Sequence, residues 1–473
     1  MGHRVATLLL ALISACGESA SVPAVPPAPA ALPPLPGVPE GSREWSWRDV
    51  IGRPLPGEPA PKADVLALQP ASARMDALAA LVAAHDPAAA ATLLAALDDK
   101  QIAVAAEAAR LLAEGGYQVG LPRLLLGLGP YPVDYDVPPA VRCAESAALA
   151  RLGNPAGVPL ILTVLAEVTP LQVSDNDLPW PRTERVVYLQ ELALPGLVAL
   201  AGTDFGYVPG APVPAREEAL RKARAWWDEH RVALWSAAPA DDPTIAARVH
   251  LVLAHLSAYQ LRQVDGARFV LTNLGPNVLP LLAEGLSSSD TYIRVHALEV
   301  MERIAPNCDD KARVRLANLA AAPLLHDTSL NVATQAAAAC GAARVADQLI
   351  VALQQRNEPE VTIAVLDALG RTGLPVARDA LAAFAAGPRA AQLSPDGRVA
   401  LEAARLGADP ARDPAEFLAL LASPDTELAF AALQRLMSIT GKDWGVDPGK
   451  PPEQRTAALA AARTALLARG SAH

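Results

Sequence analysis

The chain has 473 residues, a formal net charge of −10, and a composition that is 52% apolar but only 4% aromatic. Ala and Leu supply most of the apolar side chains. Because both residues favour helices over strands, the composition indicates close-packed helices rather than a sheet protein. The negative charge and the lack of a Lys or Arg run argue against nucleic acid as a partner, since phosphate binding needs a clustered positive field.

Residues 1–15 have the pattern of a secretory signal peptide, with a charged start, the apolar run VATLLLALI and small residues. That run is too short to cross a bilayer, which takes about 20 residues. The tetrapeptide ISAC, ending at Cys16, resembles the lipobox of bacterial lipoproteins. The resemblance implies cleavage before Cys16, a lipid on its thiol and, because Gly17 is not Asp, the outer membrane if the host has one. An ordinary signal peptide with a chance cysteine is the alternative.

Residues 16–62 are rich in Pro and Ala, with twelve prolines between positions 23 and 61. A regular helix or a central strand does not tolerate that density of proline. The segment is therefore predicted to be a disordered linker that holds a folded body away from the membrane.

From about residue 63 to the end, short helical patterns alternate with Gly, Pro and Asp breakers, with a period of roughly 30 to 40 residues. The pattern is clearest at Ile293, Arg294, Ala297, Leu298 and Met301 or Ile304. It resembles HEAT repeats, which implies an all-α solenoid of about nine stacked antiparallel helix pairs. One pair cannot bury its own apolar face, so the pairs must stack.

One phrase occurs twice, as GTDFGYVPGAPVPAR at 202–216 and GKDWGVDPGKPPEQR at 441–455. Each copy follows an apolar helix and precedes a long amphipathic one. We interpret both as capping loops, in which Gly ends a helix, Asp forms an Asx turn and the aromatic residue covers a terminal repeat. The candidate capping residues are Gly202, Asp204, Phe205, Arg216, Gly441, Asp443, Trp444 and Arg455.

This interpretation divides the folded body into a solenoid segment at 63–236 and a second at 237–473, each ending in a capping loop and a helix. The alternative is that Asp204 with Arg216, and Asp443 with Arg455, are acid–base or ligand-binding pairs. Against it, the two loops share no His, no Cys and no second carboxylate.

The chain has no recognisable catalytic, phosphate-binding or metal-binding motif, so no catalytic residue, cofactor or metal ligand is predicted. The alternating acids Asp134, Asp136, Asp175 and Asp177 could hold Ca²⁺, but solvated loop acids are the favoured interpretation. Cys143 and Cys340 are expected to be small buried residues, and a bridge between Cys308 and Cys340 is left open.

The sequence thus predicts a membrane-tethered HEAT-repeat scaffold or protein–protein interaction module of the bacterial cell envelope, with no catalysis of its own. Its partner would be a protein or peptide on the concave solenoid face, and it would contact the membrane only through the lipid. The alternative is an enzyme accessory or hydrolase-like protein that uses the loops 169–184 and 202–216 as its site.

Overall fold

A computed structural model describes residues 51, 54–55, 57–129, 137–167, 182–238, 243–254, 256, 261–409, 411–442 and 444–470. All of these residues belong to one compact unit, 38–473. Cys16, the predicted signal peptide and most of the predicted linker lie outside the described residues. So do Asp443 and the four acids considered for Ca²⁺, Asp134, Asp136, Asp175 and Asp177.

The N-terminal half of the described chain forms four antiparallel helix pairs. A short α1 (Ala63–Leu66) precedes them. The pairs are α2 (Ala71–Ala83) with α3 (Ala89–Ala96), α4 (Ile102–Glu114) with α5 (Leu121–Gly127), α6 (Pro139–Arg151) with α7 (Val158–Ala166), and α8 (Arg182–Ala201) with α9 (Val213–Ala237). The first helices α2, α4, α6 and α8 stack side by side, and the second helices cover them. We call this stack the first ladder.

After α10 (Pro243–Ala254), six more pairs form a second ladder. They are α11 (Leu261–Asn273) with α12 (Leu279–Leu286), α13 (Thr291–Ile304) with α14 (Asp310–His326), α15 (Leu330–Ala342) with α16 (Asp347–Gln355), α17 (Pro359–Thr372) with α18 (Pro375–Ala385), α19 (Pro395–Ala408) with α20 (Ala415–Leu421), and α21 (Thr426–Thr440) with α22 (Thr456–Gly470). The predicted all-α helical-repeat fold is confirmed, with ten pairs in the described ranges.

Local sequence explains where many of these helices begin and end. Asp290, Asp309, Ser394 and Asp425 each accept a hydrogen bond from a backbone N–H in the first turn of the helix that follows. Such side chains satisfy donors that a helix start leaves unpaired. Gly373 ends α17 in the left-handed region, which glycine enters without a Cβ clash.

Small residues allow the first helices of the second ladder to approach closely. A Cβ placed on Gly370 of α17 would lie 2.6 Å from the Cα of Ala404 in α19. A Cβ on Gly341 of α15 would lie 2.8 Å from the Cα of Ala368 in α17. These positions accept no larger residue without moving a helix, because protein interiors are close-packed.

An arginine in several repeats ties successive pairs together. Arg294 of α13 donates to the carbonyl oxygen of Ser288 at 2.8 Å and forms an ion pair with Asp327 of the next turn. Arg142 and Arg356 likewise donate to the carbonyl oxygens of Leu128 and Leu324, at the ends of second helices. The apolar residues of the same HEAT-like pattern, Ala297, Leu298, Met301 and Ile304, are fully buried.

The two ladders meet where the chain passes from α9 to α11. Helices α10 and α11 pack against α5, an inner member of the first ladder. Asn154 donates to the carbonyl oxygen of Asn273 at 2.9 Å across this contact. Whether the ladders are separate domains divided near residue 236 stays a prediction.

Helix α10, which precedes the second ladder, contacts the start of the folded body. Arg248 of α10 is fully buried and forms a bidentate ion pair with Glu58, at 2.8 and 2.7 Å. Its Nε also lies 3.4 Å from the carbonyl oxygen of the buried Ile51. The folded body therefore begins before residue 63, inside the segment predicted to be a linker.

Candidate functional site

The first capping loop, 202–216, lies against the end of the first ladder. Gly202 has a φ of +70° and Phe205 a φ of +57°. Asp204 Oδ1 accepts from the N–H of Gly206 at 2.8 Å, which is an Asx turn. The Phe205 ring packs on the apolar cluster between α7, α8 and α9, with its centroid 5.8 Å from that of Trp226.

The second capping loop, 441–455, repeats that backbone course at the end of the second ladder. Gly441 and Trp444 have φ values of +72° and +55°. The half-buried Trp444 packs on the cluster around α21 and donates from Nε1 to Thr440 Oγ1 at 2.9 Å. Coverage of this end is partial, because Phe430 and Met437 on one side of α21 are 52% and 45% exposed.

The loop arginines bind backbone carbonyl oxygens among the described residues. Arg216 donates to the carbonyl oxygen of Glu167 at 3.2 Å instead of to Asp204. Arg455 is buried and donates to four carbonyl oxygens, those of Leu421, Ser423, Pro448 and Lys450, at 2.5–3.1 Å. This geometry is that of a structural anchor, and it leaves neither guanidinium paired with a described carboxylate.

The three described cysteines are free and buried. Cys308 and Cys340 are not bridged, and their thiols instead face the carbonyl oxygens of Ile304 and Ala317, at 3.7 and 3.9 Å. Burial raises the pKa of Cys143, Cys308 and Cys340 to about 12. Since the thiolate is the reactive form, these are packing residues rather than nucleophiles.

The exposed side of the first helices in the second ladder carries charged residues that meet across intervening helices. Arg371 of α17 lies 3.0 Å from Glu302 of α13, although α15 lies between them. Arg435 of α21 pairs with Asp367 of α17, although α19 lies between. Packed helices are about 8–10 Å apart, so side chains two helices away meet only where the layer bends toward them. We call this locally concave surface, marked by Glu302, Asp367, Arg371 and Arg435, the inner face.

A cavity of about 670 Å³ opens on the inner face. Four guanidinium groups and one carboxylate surround it, with apolar side chains along one side. The charged residues are Arg344, Asp367, Arg371, Arg412 and Arg435, and the large apolar ones are Leu406, Ile439 and Leu466. In a chain with a net charge of −10, this is a local concentration of positive charge.

Asp367 is the titratable group at the centre of this cavity. Burial raises the pKa of Asp367 above its usual value of 3.8, although Arg435 and Arg371 both oppose that shift. Arg435 thus forms an ion pair with a carboxylate whose charged form is disfavoured by burial. The Nε of Arg435 is buried and has no acceptor among the described residues.

A second cavity, of about 300 Å³, lies on the corresponding side of the first ladder. Its walls are mainly alanines, with Met75, Tyr188 and Leu192, and its charges include Arg110 and Glu107. Arg110 is engaged by Glu107 at 2.7 Å and by Glu114 at 2.5 Å. This cavity is therefore smaller and closer to neutral than that of the second ladder.

The residues of the larger cavity were not identified from sequence. Arg344 follows the end of α15, Arg371 lies in the last turn of α17, and Arg435 lies within α21. The three residues are therefore far apart along the chain. Only the stacking of those helices brings them together. No local sequence signal marks them, because each is a single arginine near or within a helix of a different repeat.

The described residues lack two features that would point to a particular function. They contain no group of three or more His, Cys, Asp or Glu side chains placed to hold a metal ion. None of the described helices combines the length and the apolar character that a membrane span requires.

Comparison with known proteins yielded a structural match alone. No known protein family matches the sequence, and neither does any curated protein. Among solved structures, the chain is similar to human deoxyhypusine hydroxylase in complex with glycerol. The sequence identity is 21%, the match covers 76% of this chain and 95% of that one, and the TM-score is 0.20. A likeness at this level does not carry an activity over to this chain.

The comparison nevertheless corrects one prediction. The conclusion that the chain is not an enzyme was wrong as a deduction from fold and motifs, because the matched structure is that of an enzyme. The absence of a local motif therefore does not exclude catalysis.

Proposed function

We propose that this protein is a lipid-anchored helical-repeat scaffold of the bacterial cell envelope, which binds a protein or peptide partner on its inner face. The cavity bounded by Arg344, Arg371 and Arg435 is the observation that carries the proposal. It is concave, it combines charged with apolar side chains, and its size is in the range of ligand pockets. Stacked repeats bind partners through extended surfaces of this kind.

Site-specific crosslinking tests the binding face. A photoreactive amino acid would replace Gln335, whose amide contacts Glu302 on the inner face at 2.7 Å. The matched control places the same group at Arg221, an exposed residue of α9. We expect a discrete crosslinked product in intact envelopes from position 335 and none from position 221. Equal labelling from both positions, or none from 335, would contradict binding at this face.

The lipid anchor has its own test. Cys16→Ser should release the protein from the membrane fraction and abolish incorporation of labelled fatty acid, because the acyl chains supply the membrane affinity. Ser19→Ala is the matched control in the same segment and should retain both properties. Unchanged membrane retention of the Cys16→Ser protein would remove the anchor from the proposal.

A further inference from the structure

We propose that the inner-face cavity of the second ladder is a docking site for an acidic peptide segment, one with Asp or Glu side chains next to apolar residues. This inference rests on the proposed function and specifies the chemistry of the partner. It follows from the charge of the cavity, from the donors that its arginines leave unused and from the apolar side chains beside them.

The arginines have donors to spare. A guanidinium carries five N–H donors, and arginine suits carboxylates because two of these donors can bind one carboxylate together. Arg371 uses one nitrogen, Nη1, for Glu302, and Arg344 uses Nε for the carbonyl oxygen of Thr372, at 3.1 Å. Among the described residues no carboxylate lies within ion-pair distance of Arg344.

Charge complementarity selects an acidic occupant. The cavity lining has four guanidinium groups against the single carboxylate of Asp367. Glu302 neutralises part of the charge of Arg371, and Glu416 together with Glu402 neutralises that of Arg412. Within the described chain Arg344 has no ion-pair partner, so a basic or neutral peptide would leave its charge unpaired, while a carboxylate would pair with it.

The remaining lining favours a peptide over a small inorganic anion. Leu406, Ile439 and Leu466 lie along the cavity, and its floor is formed by small residues such as Gly370 and Ala404. A free phosphate would contact the arginines and leave this apolar surface exposed. A peptide that places an acidic residue at Arg344 and an apolar one at Leu466 would cover both, which is how specific peptide sites combine anchors.

Peptide titration tests the site directly. The full-length protein in detergent would be titrated with a fluorescent peptide of alternating Glu and Leu, and with the matched peptide of Gln and Leu. We expect binding of the first alone, weakened by added salt because exposed charges are screened. The double variant Arg344→Ala/Arg371→Ala should raise the Kd by about tenfold or more, since it removes charge-assisted hydrogen bonds to the peptide carboxylates.

The matched control is Arg110→Ala, which removes an arginine from the smaller cavity of the first ladder and should leave the Kd unchanged. Equal binding of the Gln peptide, or an unchanged Kd in the double variant, would overturn the proposal. So would tight binding of inorganic phosphate at this site with no binding of the Glu peptide, which would make it a phosphate site. Circular dichroism of each variant confirms the fold.

Crosslinking from position 335 separates this inference from the proposed function. If the double variant still crosslinks to the same partner, the scaffold function stands and the acidic-peptide site is wrong. If the Glu peptide binds as expected but no envelope protein crosslinks, the site stands and the scaffold function is wrong. If the double variant loses peptide binding and crosslinking while the wild type and Arg110→Ala keep them, the peptide site and the scaffold function are both supported.

Discussion

The two capping loops share a backbone course but differ in the side chain that reaches the preceding second helix. In the first loop, the Tyr207 hydroxyl donates to the carbonyl oxygen of Leu165 at 2.7 Å, and Arg216 takes that of Glu167. In the second loop, the position of Tyr207 is occupied by the buried Val446, which has no donor. There Arg455 alone takes the carbonyl oxygens of Leu421 and Ser423.

This difference shows what the repeated phrase preserves. Each loop must satisfy the carbonyl groups at the end of a second helix, because unpaired polar groups are costly when buried. In the first loop a tyrosine and an arginine donate these hydrogen bonds, and in the second loop one arginine donates all of them. The Gly and aromatic positions that the two loops share set the course of the backbone. The side chains that donate to the carbonyl oxygens of the preceding second helix differ between the loops.

Removal of the loop arginines should give the largest difference in stability between the two loops. Arg455→Ala leaves four carbonyl oxygens without their donor and should destabilise the end of the second ladder by about 3 kcal/mol. Arg216→Ala, the matched change, should lower local stability by only about 1 kcal/mol, since one carbonyl is affected. Amide hydrogen exchange of α8–α9 and α20–α22 measures both, because repeats open locally. Equal effects would contradict the division of roles.

Removal of the tyrosine hydroxyl tests the other half of the comparison. Tyr207→Phe keeps the ring but leaves the carbonyl oxygen of Leu165 unpaired, and should reduce the free energy of unfolding of α8 and α9 by about 1–2 kcal/mol. Val446→Ala serves as the contrast, because it removes buried apolar atoms and no hydrogen bond. If exchange in α8 and α9 is unchanged in Tyr207→Phe, the tyrosine is not an anchor.

The glycines that begin the loops should behave alike. Gly202 and Gly441 have φ values of +70° and +72°, and a Cβ at either would meet nothing within 4 Å. An alanine at either position therefore adds only the strain of a left-handed backbone, about 1 kcal/mol. Urea denaturation of Gly202→Ala and Gly441→Ala should show similar losses. A large difference between the two would mean that the loops do not share one backbone course.

The smallest expected effect is on pH dependence, which should appear in the first loop only. Burial raises the pKa of Tyr207 above its usual value of 10, although the positive charge of the nearby Arg216 opposes this. A raised pKa in the folded state means that the stabilisation is complete below the unfolded pKa and is lost as pH rises through the folded one. Urea midpoints at about pH 9 and about pH 11 should therefore differ more in the wild type than in Tyr207→Phe. Equal differences would argue against this titration.

Sequence patterns anticipated the fold because its causes are local. Turn residues at 290, 309, 394 and 425 cap the helices that directly follow them, and the pattern from Ile293 to Ile304 buries the apolar positions it marks. The spacing of Asp204 and Arg216 also suggested a pair within the loop, but Arg216 binds Glu167 instead. The acceptor that a long side chain binds depends on which acceptor is nearest in three dimensions, and sequence spacing does not give that distance.

By itself, the sequence determined the helical-repeat architecture and the doubled phrase, because helix periodicity, capping and glycine turns act within a few residues of one another. Tertiary structure decided which side chains meet. Arg435 reaches Asp367 over an intervening helix, and Arg248 pairs with Glu58, 190 residues away along the chain. These contacts depend on how closely Gly370 and Gly341 let helices approach and on where the second ladder meets the first. That geometry is the sum of many packing contacts between residues distant in sequence, and no local pattern records it.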